Sequence, residues 1–264
     1  MTEDGVMKKQ QTKISLFSLI SLAITVAVSP AKADWGVGLD INNDFMQYKH
    51  KKNKVIVKDI FELQYRGDKF NMDESALSYD FTNSNKYGIE LIAASKNLGY
   101  TKKDFKVFAG MDERDSSFDV GMRLIADAGL LSSAVFEVTR DVAASKGVEA
   151  SLKIGGITPH AQHWTGEREV VVAAVAGVRH KDKKVANYYY GVKNKEATAT
   201  RAAYQAKAAT TAFVGLEAQA NLTKHISLTA DLGVSKTPDS IRNSPLTTGK
   251  KYFTNGKVGF NYWF

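Results

Sequence analysis

Between Thr254 and Phe264 the chain alternates with a period of two. Gly256, Val258, Phe260, Tyr262 and Phe264 fall on one face, Asn255, Lys257, Gly259 and Asn261 on the other, and only Trp263 breaks the pattern. That periodicity is the mark of a β-strand with two unlike sides. In a soluble domain, an exposed Phe-Asn-Tyr-Trp-Phe ending would promote association. A membrane barrel needs such a strand, because it supplies an apolar outward row and aromatic groups for the lipid–water boundary. The expected fold is therefore all-β, an antiparallel transmembrane β-barrel with short periplasmic turns and longer extracellular loops.

The other end of the sequence points to export. Lys8, Lys9 and Lys13 precede an uncharged run from Ile14 to Val28, and Ser29-Pro30-Ala31-Lys32-Ala33 supplies small residues in an A-x-A arrangement. These are the parts of a secretory signal peptide, with cleavage expected after Ala33. Residues 1–33 are thus expected to be a leader, and 34–264 a single outer-membrane barrel domain of a Gram-negative cell. The run is too short to favour a retained anchor, since a spanning helix takes about 20 apolar residues. Met7 is an alternative start to Met1. Phe260, Tyr262 and Phe264 also match the C-terminal signal by which outer-membrane proteins reach the barrel-assembly machinery.

Composition narrows the chemistry. Cysteine is absent, which rules out thiolate metal sites and thiol nucleophiles. Losing the leader lowers the formal charge from +8 to about +6. The basic runs Lys49–Lys54, Lys102–Lys106 and Lys181–Lys184 lie in expected loops, where they would meet anionic lipid, lipopolysaccharide or murein rather than nucleic acid. Past the leader, no apolar run reaches the length of a spanning helix, so any crossing is made by strands.

Alternation then places the strands. Trp35 to Ile41 reads as a first strand, Phe45, Met46 and Tyr48 as a short second one, and Val55 to Tyr65, Lys69 to Phe81 and Tyr87 to Ser95 as further strands. Phe118 to Ala126, Ala134 to Val138 and Val148 to Ile154 alternate most clearly. Val170 to Arg179 is too uniformly apolar for its faces to be assigned. Ala212 to Ala220 and Ile226 to Val234 form a regular hairpin before the final strand. Asn97–Asp115, Lys181–Tyr204 and Lys236–Lys251 are expected as long external loops. Twelve strands are favoured, with ten as the alternative, because an even number leaves both ends in the periplasm. Periodicity alone equally fits a soluble sandwich; the leader and the final strand decide against it.

Tyr189-Tyr190-Gly191-Val192, Glu196-Ala197 and Ala203-Tyr204 resemble the Y-[YF]-G-V…EA…PAY signature of the MipA/OmpV outer-membrane family. Leu222 to Leu228 and Asp239 to Leu246 resemble further family segments. Arg201-Ala202-Ala203 stands where Leu-Pro-Ala is usual, Ile226 where Trp is common, and Trp-Phe ends the chain in place of Arg-Phe. The resemblance implies a non-enzymatic barrel without cofactor. Its implied partners are a murein lytic transglycosylase and a murein synthase, linked by the barrel as a scaffold; an adhesin role is the alternative. The signature tyrosines are expected to fold their loop over the barrel mouth, rings packed and hydroxyls bonded.

Other chemistries carry weaker signals. His225-x-Ser227 with Glu217 on the adjacent strand has the residue types of a Ser–His hydrolase, yet strand counting places His225 in a periplasmic turn. His160-x-x-His163 lacks the framing of a metal site. Glu62, Asp119, Arg123, Glu137, Glu149, Lys153, Glu217, Asp231 and Lys257 are expected to face the lumen. There, mixed signs in a narrow barrel pair into a network; a small-solute channel is the alternative.

Overall fold

The computed structural model describes residues 34–42, 48–49, 62–73, 76–82, 84, 86–96, 98–102, 105–127, 133–157 and 169–264. The expected leader, His160, His163 and most of the segment Phe45–Phe61 lie outside these residues. Twelve antiparallel strands close into one barrel. They are β1 (Asp34–Asn42), β2 (Glu62–Arg66), β3 (Phe70–Asp73), β4 (Ala76–Asp80), β5 (Tyr87–Lys96), β6 (Ser117–Asp127), β7 (Ser133–Asp141), β8 (Val148–Gly155), β9 (Glu169–Lys181), β10 (Ala209–Asn221), β11 (Ile226–Lys236) and β12 (Tyr252–Trp263). Each strand pairs with its sequence neighbour, and β1 pairs with β12 from Gly36↔Trp263 to Asn42↔Lys257.

The faces follow the alternation. Leu39, Ile41, Leu91, Met122, Leu124, Val172, Val214, Leu216, Leu232 and Val258 point outward and are exposed, while Asp40, Glu62, Glu90, Asp119, Thr139, Glu149 and Asn261 are buried inside. A sandwich would bury the apolar rows against each other; here they form the outer band of a barrel, with Phe81, Tyr87, Tyr262 and Phe264 exposed at the turn end.

Two strand assignments are corrected. Lys69 to Phe81 is not one strand but the hairpin β3–β4, in register from Phe70↔Tyr79 to Asp73↔Ala76. Asp73-Glu74-Ser75 puts three polar residues in a row and interrupts the alternation. The twelfth strand comes from this split; of the expected strand Phe45–Tyr48 only Tyr48 lies among the described residues, where it makes an isolated bridge to Thr247. In β9 the structure assigns the faces that sequence left open: Val170, Val172 and Val178 are exposed outward, and Val171, Ala173 and Val175 are buried inward.

The closing seam explains the one misfit of the last strand. Trp263 is buried, with the Arg66 guanidinium 3.6 Å from its ring centroid. A cation over an indole face contributes roughly 0.5–2 kcal/mol. Its ladder partner is Gly36, where a Cβ would come within 2.7 Å of the ring. The glycine is what lets the indole lie flat across the seam. Gln64 Nε2 donates to Asn261 Oδ1 at 2.7 Å alongside it.

Candidate functional site

The longest described connections leave the loop end of the barrel and fold together as a cap. Residues 182–208 open with α1 (Lys183–Tyr190). Asp182 caps it by accepting the Val185 N–H at 2.9 Å, which satisfies a backbone donor that the first turn leaves open. Val185, Ala186, Tyr189 and Tyr190 are buried on one side, the spacing of an amphipathic helix. Gly191 ends it with its N–H on Asn187 O, where a Cβ would lie 2.3 Å from that same oxygen. A second, four-residue helix, α2 (Asp239–Arg242), buries Ile241.

These pieces share an apolar core of Tyr48, Tyr100, Phe108, Met111, Val185, Ala186, Tyr189, Tyr190, Val192, Ala206, Ala209, Ile241 and Leu246. Tyr100 stacks on Phe108 at 3.8 Å, and Tyr48 on Tyr190 at 5.5 Å. Their hydroxyls are largely bonded within the cap: Tyr48 donates to Tyr189 O at 3.2 Å and Tyr189 to Asp115 O at 3.1 Å. Burial pushes the Tyr100 hydroxyl up to about 12 and raises those of Tyr48, Tyr189 and Tyr190 as well.

A buried ion pair clamps two of the loops. Arg114 Nη2 contacts both carboxylate oxygens of Glu196 at 3.0 Å, while its Nε donates to Tyr188 O and its Nη1 to Asp112 O. Glu196 also accepts from the Asp112 and Lys193 N–H groups at 3.1 and 2.9 Å. Burial pushes this carboxyl up, but the two backbone donors and the guanidinium outweigh it and hold the group below its ordinary range. Arg201, buried beside it, donates to Ala109 O at 3.0 Å and to Glu196 O at 2.6 Å. A guanidinium in this position makes inter-loop bonds to Val107 O and Ala109 O that an aliphatic side chain could not.

Below the cap the expected lumen residues meet in pairs. Arg123 lies 3.2 Å from Glu137 and 3.1 Å from Glu90, and Lys153 lies 3.0 Å from Glu217. Lys96 joins Asp119 at 2.7 Å to Glu149 at 2.6 Å, and Lys181 also contacts Glu149. Lys257 pairs with Asp40 at 2.5 Å. Asp231 sits opposite both Glu217 and Lys257 in the ladders and forms no ion pair among the described residues. Glu62 is buried, and its Oε2 lacks a hydrogen-bond partner among them. Sequence reading missed Lys96 and Lys181 because both stand where a strand runs into a charged loop. The signal was present in the continuing alternation from Glu90 through Ile92 to Lys96.

The hydrolase residues do not assemble. The His225 ring stacks on outward-facing Tyr262 with Nδ1 2.8 Å from Trp263 O, Ser227 is buried on the inner face, and Glu217 is held by Lys153 and the Ile157 N–H. Among the described residues no His, Asp and Glu group could hold a metal ion. Of the assembly-signal residues, Phe260 and Tyr262 lie on the outward face with Phe264, whose N–H donates to Trp35 O at 2.8 Å.

The family model of "MltA-interacting protein MipA" matches residues 36–264, which takes in the cap and every strand, β1 from its third residue. The chain belongs to this family. Its relatives include the "Putative outer membrane protein YiaT" of Escherichia coli K12, 23% identical over 252 residues that cover 91% of this chain and 94% of that protein. "Outer membrane protein OmpV" of Vibrio cholerae is 24% identical over 203 residues, covering 75% and 76%. Among solved structures, OmpT of Vibrio cholerae superposes with a TM-score of 0.34 at 9% identity, covering 78% of this chain and 66% of that one. The MipA-family chain is thus an outer-membrane protein, and the residues that carry the motif resemblance, Tyr189, Tyr190, Gly191, Val192, Glu196 and Tyr204, all belong to the cap.

Proposed function

We propose that this MipA-family chain is a closed, non-enzymatic binding barrel of the outer membrane whose recognition face is the loop cap. The observation that carries the reading is the cap's own aromatic core, built from several loops at one end of a barrel whose inner wall carries paired charges. A conducting pore needs mobile water along its axis. A binding protein gains from rigid, pre-organised loops, because less entropy is lost when a ligand docks. Purified protein in planar bilayers should show no steady conductance; a reproducible ohmic step would reject closure and favour the small-solute channel.

A second reading follows the family's description. As a scaffold between a murein lytic transglycosylase and a murein synthase, the chain would use the opposite end, since murein lies on the periplasmic side, where short turns sit. Crosslinking in living cells, followed by identification of the captured proteins, decides between the two faces: murein enzymes on residues 222–225 support the scaffold, and their absence leaves the cap. Two further proposals concern delivery. Export through a leader ending at Ala33 predicts a mature chain that starts at Asp34 on N-terminal sequencing. Recognition of Phe260, Tyr262 and Phe264 by the assembly machinery predicts that Phe264→Ala lowers the amount of heat-modifiable barrel in outer membranes.

A further inference from the structure

An open groove of about 570 Å³ runs along the outer side of the cap, within the roughly 300–1,000 Å³ range of small-ligand sites. One wall is α1, through Lys184, Asn187 and Tyr188; the other is the segment carrying Tyr204 and Gln205, with Asn194 and Lys193 at one end. Val192 and Tyr204 join the walls by reciprocal backbone bonds of 2.8 and 2.9 Å. The groove is therefore a built feature of the cap's covalent and hydrogen-bonded frame.

Its polar groups are committed in a way that leaves a definite pattern. The Tyr204 hydroxyl donates to Ser240 O at 2.7 Å, and the Tyr188 hydroxyl accepts from the Asp115 N–H at 3.1 Å, so both rings are pinned in the lining, with the Arg114 guanidinium 5.7 Å from the Tyr188 centroid. Asn187 Oδ1 already accepts the Ala206 N–H at 3.0 Å, which leaves its NH2 as the free end. That donor is joined by the ammonium groups of Lys184 and Lys193, and no carboxylate lines the groove among the described residues. The local charge balance is positive. Arg114, which lines the groove, is neutralised by Glu196, Lys193 and Lys195 share the single Asp112 carboxylate, and Lys184 has no ion-pair partner among the described residues.

Aromatic lining for C–H surfaces, amide and ammonium donors, and a surplus of positive charge together describe one class of ligand. We propose that the groove binds an acidic oligosaccharide, its sugar rings against Tyr188 and Tyr204 and its anionic group toward Lys184 and Lys193. The inference rests on the reading of the cap as the recognition face and deepens it by naming the ligand. A peptide would need an apolar side-chain pocket, and the apolar side chains of the cap are turned into its core instead. The acidic group has two sources, phosphate on a lipopolysaccharide core or carboxylate on an external polysaccharide, and both suit the same donors.

The test uses the full chain folded in detergent and titrated calorimetrically with three probes: a deacylated, phosphorylated lipopolysaccharide-core oligosaccharide, an oligogalacturonate and an uncharged malto-oligosaccharide. Saturable binding of either acidic probe is expected, at least tenfold tighter than the uncharged one and weakened by added salt. Which acidic probe binds identifies the source. Lys184→Glu with Lys193→Glu should weaken it at least tenfold, and the separate block Asn194→Trp should do the same without any change of charge. All three side chains are exposed, and heat-modifiable gel mobility verifies that each variant is folded. No saturable binding of either acid, equal binding of the uncharged probe, or unchanged binding by the folded variants would overturn the proposal. An electrically silent barrel that ignores both acids would retain the closed-barrel reading and reject this ligand.

Discussion

Arg114 and Glu196 form a pair with almost no access to water, the side chains 3% and 1% exposed. Removing one partner strands the other, at a cost of about 3–5 kcal/mol. Arg114→Ala should therefore open the cap to limited proteolysis near residues 112 and 193 while the barrel keeps its heat-modifiable mobility. Equal protease resistance in variant and parent would show that the pair is dispensable. The same carboxyl sets a pH dependence. Its folded-state pKa is depressed, so its contribution is complete above the ordinary glutamate value of about 4.3 and is lost as pH falls through the lower folded value. Cap tyrosines act in the other direction: with the Tyr100 hydroxyl pKa raised to about 12, its stabilisation is complete below about pH 10 and is lost as pH rises from there through about 12. Near-UV circular dichroism should thus show an aromatic signal flat at neutral pH that declines at both extremes. At this scale sequence was informative about identity and weak about partnership. Tyr189, Tyr190 and Glu196 stood out by their motif, but that Arg114 is the partner of Glu196 depends on contacts 82 residues apart, which no local pattern encodes.

The elements were most legible where the two faces differ in polarity. The β10–β11 hairpin runs in register from Ala212↔Lys236 to Asn221↔Ser227, as its alternation predicts, because a slip of one residue would turn Glu217 and Asp231 into lipid. β9 is illegible in its facing because inner and outer rows are both aliphatic, and β3–β4 looks like one strand in the sequence because four- and five-residue strands carry too few alternations to reveal a turn. α1 falls where the sequence pattern indicates a loop: eight residues with two lysines and three tyrosines have weak intrinsic helix preference, and burial against the other loops forms the helix. At the seam the element-scale prediction is steric. Gly36→Leu must displace the Trp263 ring, so the variant should unfold at lower denaturant or temperature than the parent, and Gly36→Leu with Trp263→Ala should recover part of the loss. Failure of the double variant to recover any stability would show that the indole is not what the glycine accommodates.

For the whole molecule, the closure we propose rests on two layers, the cap and the paired charges beneath it. They predict a graded electrical response. Deleting residues 183–205 should leave a barrel that still folds, since β9 and β10 pair along their full length, but with small, flickering conductance limited by the remaining ion pairs. Adding Arg123→Ala and Lys153→Ala should enlarge it. If the deletion alone gave a large steady current, the inner layer would contribute nothing to the seal. The cap is also assembled from places that meet only when the cylinder is complete. Tyr48 follows the first strand, Leu246 and Thr247 precede the last, and the Lys49 N–H bonds to Leu246 O at 2.8 Å. An antibody raised against the surface of intact cells would consequently see discontinuous epitopes, binding native protein and losing it after boiling, and loop sequences among relatives would be free to vary only in concert.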